Sequence, residues 1–182
     1  MKRLSLFLIV LLLPITALAQ TDKDWPTAKT EDVASIDAII AALYDVISGP
    51  AGEKRDWDRM RSLFIPEGRL MPTFKSQDGN VGYRLWSVDD YINTAGSNLE
   101  KNGFFEVEIS RKQETYGTLV HLFSTYESRR NADDTELLAR GINSIQVMHD
   151  GSRWRIVSVF WLGETEDNSI PKKYLKKMRK GK

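Results

Sequence analysis

The apolar pattern of this chain changes period once, and that change limits what it can fold into. From Asp32 the pattern is helical: Ile36, Ile39, Ile40, Leu43 and Ile47 recur on one face, and Gly49-Pro50 stops the run. From Phe104 the period is two. Four strand-like runs follow, Phe104 to Glu114, Thr118 to Arg129, Leu138 to Met148 and Arg153 to Leu162. Tyr116-Gly117 and His149-Asp150-Gly151-Ser152 read as tight hairpin turns, and Asn131 to Thr135 as a longer polar link. Helices followed by an antiparallel meander predict an α+β domain, with amphipathic helices packed on one face of a curved sheet.

Between these halves lie shorter elements. A second helix is predicted with Trp57, Met60 and Phe64 on one face, ending before Pro66. Arg69 to Phe74 reads as a short strand, and Pro72 suggests an edge position because proline lacks a ladder donor. Asp78-Gly79-Asn80 is a turn, and Val81 to Trp86 a second extended piece. Ser87 caps a third helix whose buried stripe is Val88, Tyr91, Ile92, Ala95 and Leu99, with Asn102-Gly103 as its stop.

Two strands are apolar on both faces: one through Val120, Leu122 and Phe123, the other through Ile156, Val157, Val159, Phe160 and Trp161. An antiparallel sheet with one wet face alternates. The second face is therefore expected to be covered, most simply by a second copy, which predicts a homodimer through the sheet.

The N-terminus reads as a secretory leader. Lys2 and Arg3 precede an apolar run from Leu4 to Leu13, Pro14 closes it, and Ala17-Leu18-Ala19 offers a cleavage site before Gln20. This predicts a protein exported to the periplasm or beyond, with residues 1–19 as signal peptide, 20–31 as a flexible lead-in, 32–165 as the domain and 166–182 as a basic tail. The body from Gln20 to Pro171 holds 17 basic residues against 25 acidic ones, a formal charge of −8, while the last eleven positions hold seven basic residues and no acid. An acidic body excludes a nucleic-acid-binding domain, which would show a basic face. The tail is expected to be solvated, with weak contact to anionic lipid as its other use. There is no Cys, which removes thiol nucleophiles and thiolate metal sites.

The order of elements resembles the nuclear transport factor 2-like superfamily, whose fold is also called cystatin-like, and within it the SnoaL-like group. Two stretches carry the likeness. Trp57-Asp58-Arg59-Met60-Arg61-Ser62-Leu63-Phe64-Ile65-Pro66-Glu67-Gly68-Arg69-Leu70 resembles the join between that family's second helix and first strand. Gly141-Ile142-Asn143-Ser144-Ile145-Gln146-Val147, with Asp150-Gly151-Ser152-Arg153-Trp154-Arg155-Ile156-Val157, resembles its terminal hairpin. The likeness spans roughly Asp32 to Glu164. It implies a cone with three N-terminal helices against a curved antiparallel sheet and a pocket between them. That fold hosts isomerases, dehydratases, hydrolases, cyclases and non-catalytic binders, so it does not by itself name an activity.

Candidate site residues follow from strand chemistry. His121 lies mid-strand, and a neutral imidazole facing the pocket would serve as acid or base near pH 7. Tyr126 is the alternative for proton transfer, and Arg140 would orient a substrate. Asn143, Ser144 and Gln146 interrupt an apolar strand, as do Ser124 and Ser158 in its neighbours; a small-molecule pocket is mostly apolar with a few such groups. Asn143 and Gln146 have opposite parity, so a regular strand turns only one of them inward. Trp57, Tyr91, Phe123, Trp154 and Trp161 would supply apolar wall, and Glu67 would sit at the mouth. His149 belongs to a turn. Glu106, Glu108 and Glu127 alternate beside Arg111, Arg129 and Arg130 and read as exposed cross-strand charges. No metal site and no cofactor motif is expected.

Three readings follow. The first is an exported small-molecule-binding domain without cofactor. The second is a cofactor-free SnoaL-like isomerase, lyase or hydrolase. The third is a protein-interaction module at the membrane surface. A titratable cluster lining the cavity separates the first two.

Overall fold

The computed structural model describes residues 25–76 and 78–175. The predicted leader, its cleavage site and the last seven residues of the basic tail lie outside the described residues.

Helix α1 (Thr30–Val33) leads into α2 (Ile36–Ile47), where the Ser35 hydroxyl caps by accepting from the Ala38 amide at 3.0 Å. Helix α3 (Trp57–Leu63) is capped by Asp56. Strand β1 (Phe64–Lys75) follows directly, so Phe64 begins the strand and does not extend the helix as its spacing suggested. Short strands β2 (Val81–Tyr83) and β3 (Trp86–Ser87) precede α4 (Val88–Tyr91), a π-type turn through Ile92–Gly96, and α5 (Ser97–Asn102). The capping box at Ser87 and Asp90 is complete. Gly103 then sits at φ +72°, where an added Cβ would fall 2.8 Å from the Arg130 carbonyl oxygen, so the turn into the meander requires glycine.

The meander is β4 (Phe105–Tyr116), β5 (Leu119–Arg129), β6 (Ala139–His149) and β7 (Trp154–Gly163), antiparallel throughout. Strand β1 joins it parallel to β7, with Leu70 opposite Val159 and Pro72 opposite Trp161. The sheet order is β2-β1-β7-β6-β5-β4, and β3 pairs with β1. The sheet is therefore mixed. Pro72 is not on an edge strand: the Arg84 amide donates to its carbonyl on one side while β7 lies on the other.

Parity divides the sheet. On β5, Val120, Leu122, Ser124, Tyr126 and Ser128 face the helices, and on β6 Asn143, Ile145 and Val147 do. Ile39, Ile40, Met60, Leu63 and Phe64 pack on this inner face with essentially no exposure. Each such side chain contributes about 1.5–3 kcal/mol over an exposed one. Within the meander two bulges shift the pattern, at Ile109 on β4 and at Val157 on β7, and β1 is irregular between Phe64 and Arg69.

Both chain ends of the described region are packed. Trp25 donates its indole N–H to the Arg61 carbonyl at 2.6 Å, inside the stretch expected to be a loose lead-in. Beyond β7 the chain turns back across the outer face. Ile170 is buried, the Tyr174 carbonyl accepts from Thr125 Oγ1 at 2.7 Å, and the Tyr174 ring meets Phe123 edge-on at 5.0 Å. This part of the basic tail lies on the sheet and is not wholly solvated.

Candidate functional site

A cavity of about 320 Å³ lies between the inner sheet face and the helices. Leu43, Ile47, Met60, Leu70 and Val159 give it an aliphatic lining. One wall is aromatic: Trp86, Tyr91 and Trp161 meet pairwise at 6.2–6.5 Å between ring centroids, with Tyr91 edge-on to both tryptophans. Leu138 and Ala139 carry the lining out to the surface.

The opposite wall is polar, built from Tyr44, Glu106, Tyr126, Ser128 and Asn143. Glu106 stands opposite Ser128 on the inner face of β4. Its side chain is half-buried, because the cavity reaches it while protein surrounds the rest. Burial penalises its charged form, the amide of Asn143 favours that form less strongly, and the carboxyl is pushed up to about 8. Asn143 Nδ2 donates to Glu106 Oε1 at 3.2 Å and to the Tyr44 hydroxyl at 3.0 Å. Tyr44 Oη in turn meets Ser124 Oγ at 2.8 Å, and Ser124 donates to the Glu108 carboxylate.

The chain of hydrogen bonds ends at a guanidinium. Arg111 donates to Glu108 through Nε at 2.9 Å and Nη2 at 2.6 Å, and to Asp37 of α2 through Nη1 at 2.6 Å. The bulge at Ile109 makes this possible: in an unbroken strand, residues 108 and 111 would face opposite sides. Burial, followed by the charge of Glu106 when ionised, raises the phenols of Tyr91 and Tyr126, so both remain protonated hydrogen-bond donors. Gly141 passes against Tyr126: an added Cβ would fall 2.5 Å from its hydroxyl oxygen.

Of the residues picked from the sequence, the structure brings Tyr91, Tyr126, Asn143 and Trp161 together on this cavity. His121, Phe123, Ser144, Gln146 and Ser158 lie on the outer sheet face by register, as does Arg140. There His121 Nε2 meets Ser144 Oγ at 2.9 Å, and its Nδ1 is 4.0 Å from Glu114. Arg140 is engaged by Glu164 at 2.7 Å. Those six are therefore corrected as cavity residues: parity turns them away. Trp57 is half-buried behind Gly96, with its indole N–H on Glu100 at 2.9 Å, and Glu67 is exposed on β1; neither lines the cavity. Trp154 packs against His149 at 5.1 Å, also away from it.

Glu106 and Glu108 are the reverse correction. Their alternation beside arginines read as exposed charge, yet both face inward. A signal existed: Ser124, Tyr126, Ser128 and Asn143 share the parity of core residues such as Leu122 and Ile145, which marks a polar end of the inner face where β4 must supply partners.

A second groove, of about 410 Å³, lies on the outer face between Phe123, Ile142, Phe160 and Leu162 of the sheet and Ile170 and Tyr174 of the returning chain. It is larger than the inner cavity, but its one carboxyl with a displaced pKa, Glu164, is held down in an ion pair with Arg140, so chemistry favours the inner one. Among the described residues no cluster of His, Asp or Glu is arranged to hold a metal ion.

No protein-family model matches the sequence, and no curated protein resembles it significantly. Solved structures do share its fold. A cystatin-like-fold protein of unknown function from Nostoc punctiforme superposes with a TM-score of 0.55 over 73% of this chain and 91% of its own, at 11% identity. An uncharacterised cystatin-like-fold protein from Caulobacter vibrioides gives 0.52 over 74% and 90%, at 13% identity. A nuclear transport factor 2-like superfamily protein from Salmonella enterica gives 0.50 over 70% and 87%, at 18% identity. The fold is thus the nuclear transport factor 2-like, cystatin-like one. At these identities the likeness is one of fold alone.

Proposed function

We propose that this chain is an exported small-molecule-binding domain whose ligand occupies the inner cavity and is anchored by Glu106. One observation carries the reading: a single carboxyl group, aimed into an otherwise apolar and aromatic cavity, held by Asn143 and flanked by two protonated phenols. Small-molecule sites combine apolar walls with a few placed polar groups in this way. The outer face, with Phe160 and Leu162 exposed, is the surface we propose for a second copy.

A second reading is favoured by the Glu106 carboxyl being pushed up to about 8, which makes it a proton donor and acceptor near neutral pH. In that reading the chain is a cofactor-free enzyme of the SnoaL-like kind. Glu106 moves the proton and Tyr126 or Tyr91 donates to the developing oxyanion. His121 and Arg140 have no part in it.

The test is a panel of small apolar alcohols, ketones and amines added to the purified protein, followed by the fluorescence of Trp86 and Trp161 and by amide shifts. Saturable binding with shifts at Glu106, Tyr126 and Asn143 supports the reading. Binding confined to Ser144 and Phe160 on the outer face, or none across the panel, overturns it. Turnover of a bound compound that is lost in Glu106→Gln selects the enzyme.

A further inference from the structure

We infer that the ligand of the inner cavity is an organic amine, held as its ammonium ion between the aromatic wall and Glu106. The inference rests on the small-molecule reading above and narrows it to a substrate class.

Trp86, Tyr91 and Trp161 crowd one wall of the cavity, with Tyr126 and Tyr44 on the opposite, polar one. Aromatic rings attract cations through their quadrupole, and desolvated sites strengthen that attraction. No Lys, Arg or His lines the cavity, so a carboxylate, phosphate or sulfate ligand would find no counter-charge there. An anion would instead meet Glu106. A neutral apolar ligand would leave this half-buried carboxyl with one partner, Asn143. An ammonium ion uses both walls at once.

The groups around Glu106 agree. Within the cavity it faces Tyr44 from α2, Tyr91 from α4, Tyr126 and Ser128 from β5 and Asn143 from β6, none of which is a cation; on its other side it borders a depression that holds Asp37 and Asp45 of α2 with Glu108 and Arg111. The nearest charged neighbours on its own strand, Glu108 and Arg111, neutralise each other in a bidentate pair. Arg111 is also held by Asp37, so among the described residues a bound ammonium would be the one positive charge inside the cavity facing this carboxyl. Its arrival must ionise Glu106, so a permanently charged ligand releases a proton on binding, and its affinity rises with pH.

The test compares benzyltrimethylammonium with its uncharged isostere neopentylbenzene, on the wild-type chain and on Glu106→Gln, by calorimetry between pH 6 and pH 9. The expected result is that the ammonium binds more tightly than the isostere at pH 9. Its affinity should rise about tenfold per pH unit below 8 and level off above it. Up to one proton should be released per ligand near pH 7. Glu106→Gln should lose the pH dependence and at least tenfold in ammonium affinity while keeping neopentylbenzene. Equal binding of the two compounds by the wild type, or ammonium affinity flat with pH, overturns the inference and leaves the small-molecule reading standing. Failure of both to bind in the cavity sinks both.

Discussion

Asn143 Nδ2 lies 3.2 Å from the Glu106 carboxyl, and among the described residues this side-chain hydrogen bond joins the cavity's acid to the rest of the inner-face network. The same nitrogen donates to Tyr44, whose hydroxyl leads through Ser124 to Glu108 and Arg111. The network fixes the amide, and the amide holds the carboxyl. Replacing Asn143 by Leu removes the only hydrogen bond that lowers the Glu106 pKa. The carboxyl should then titrate above its wild-type midpoint, and the protein should lose about 1–3 kcal/mol for a buried polar group left without its partner. Carbon-detected NMR titration of Glu106, with urea unfolding alongside, reads both.

Stability should depend on pH in a direction unusual for a carboxylate. Glu106 is raised from 4.5 to about 8 in the folded chain, so between those values the native state binds more protons than the unfolded one. Its contribution is fully present below the unfolded pKa and is lost as pH rises through 8. Asp32, held down by Arg59, and Glu164, held down by Arg140, act oppositely: their contributions are present above their unfolded values and are lost on acidification. Wild type should therefore unfold more easily at pH 9 than at pH 6 by an amount on the order of 1–3 kcal/mol, a difference that Glu106→Gln removes. Urea midpoints at the two pH values decide it, and identical wild-type and Glu106→Gln slopes against pH would speak against a raised Glu106 carboxyl.

Most of the fold was legible because it follows from period. The stripe on α2 and the alternation on β5 and β6 each place their residues correctly. The site was only partly legible, because β5 carries apolar residues of both parities, Leu122 inward and Phe123 outward, so its inner face shows only when β6 is read beside it. His121 and Tyr126 both read as proton-transfer candidates, but five residues separate them, so an unbroken strand turns only one of them inward. Glu106 was lost for a different reason. Its alternation with Glu108 matches surface patterning, and the bulge at Ile109 that turns Arg111 inward has no sequence signature. The parallel pairing of β1 with β7 was equally invisible, since it is a tertiary choice made by the far ends of the chain.

Arg55 is a structural cation of the loop between α2 and α3. It is buried and donates only to backbone carbonyls, among them Ile47 at 3.3 Å and Glu53 at 2.7 Å. Lysine cannot reproduce the planar fork. Arg55→Lys should destabilise the protein by about 2–4 kcal/mol through carbonyls left without donors. It should also speed hydrogen exchange across residues 49–57. A thermal midpoint within a degree of wild type would contradict this role.

The outer face yields a prediction about assembly. Phe160 is 44% exposed and Leu162 42%, beside the groove that the returning chain leaves open. Light scattering should give the mass of a dimer, and Phe160→Glu should give a monomer whose cavity binding is unchanged. A monomeric wild type removes the proposed interface without touching the site.

The account turns on Glu106 being a proton-holding carboxyl inside the cavity. Its titration in the ligand-free protein, followed through the side-chain carboxyl carbon by NMR from pH 4 to pH 10, tests this directly. The midpoint should lie near 8 and fall when a cavity-bound ammonium is present. A midpoint near the ordinary 4.5, unmoved by ligand, would show a solvated surface carboxylate and contradict the account at its centre.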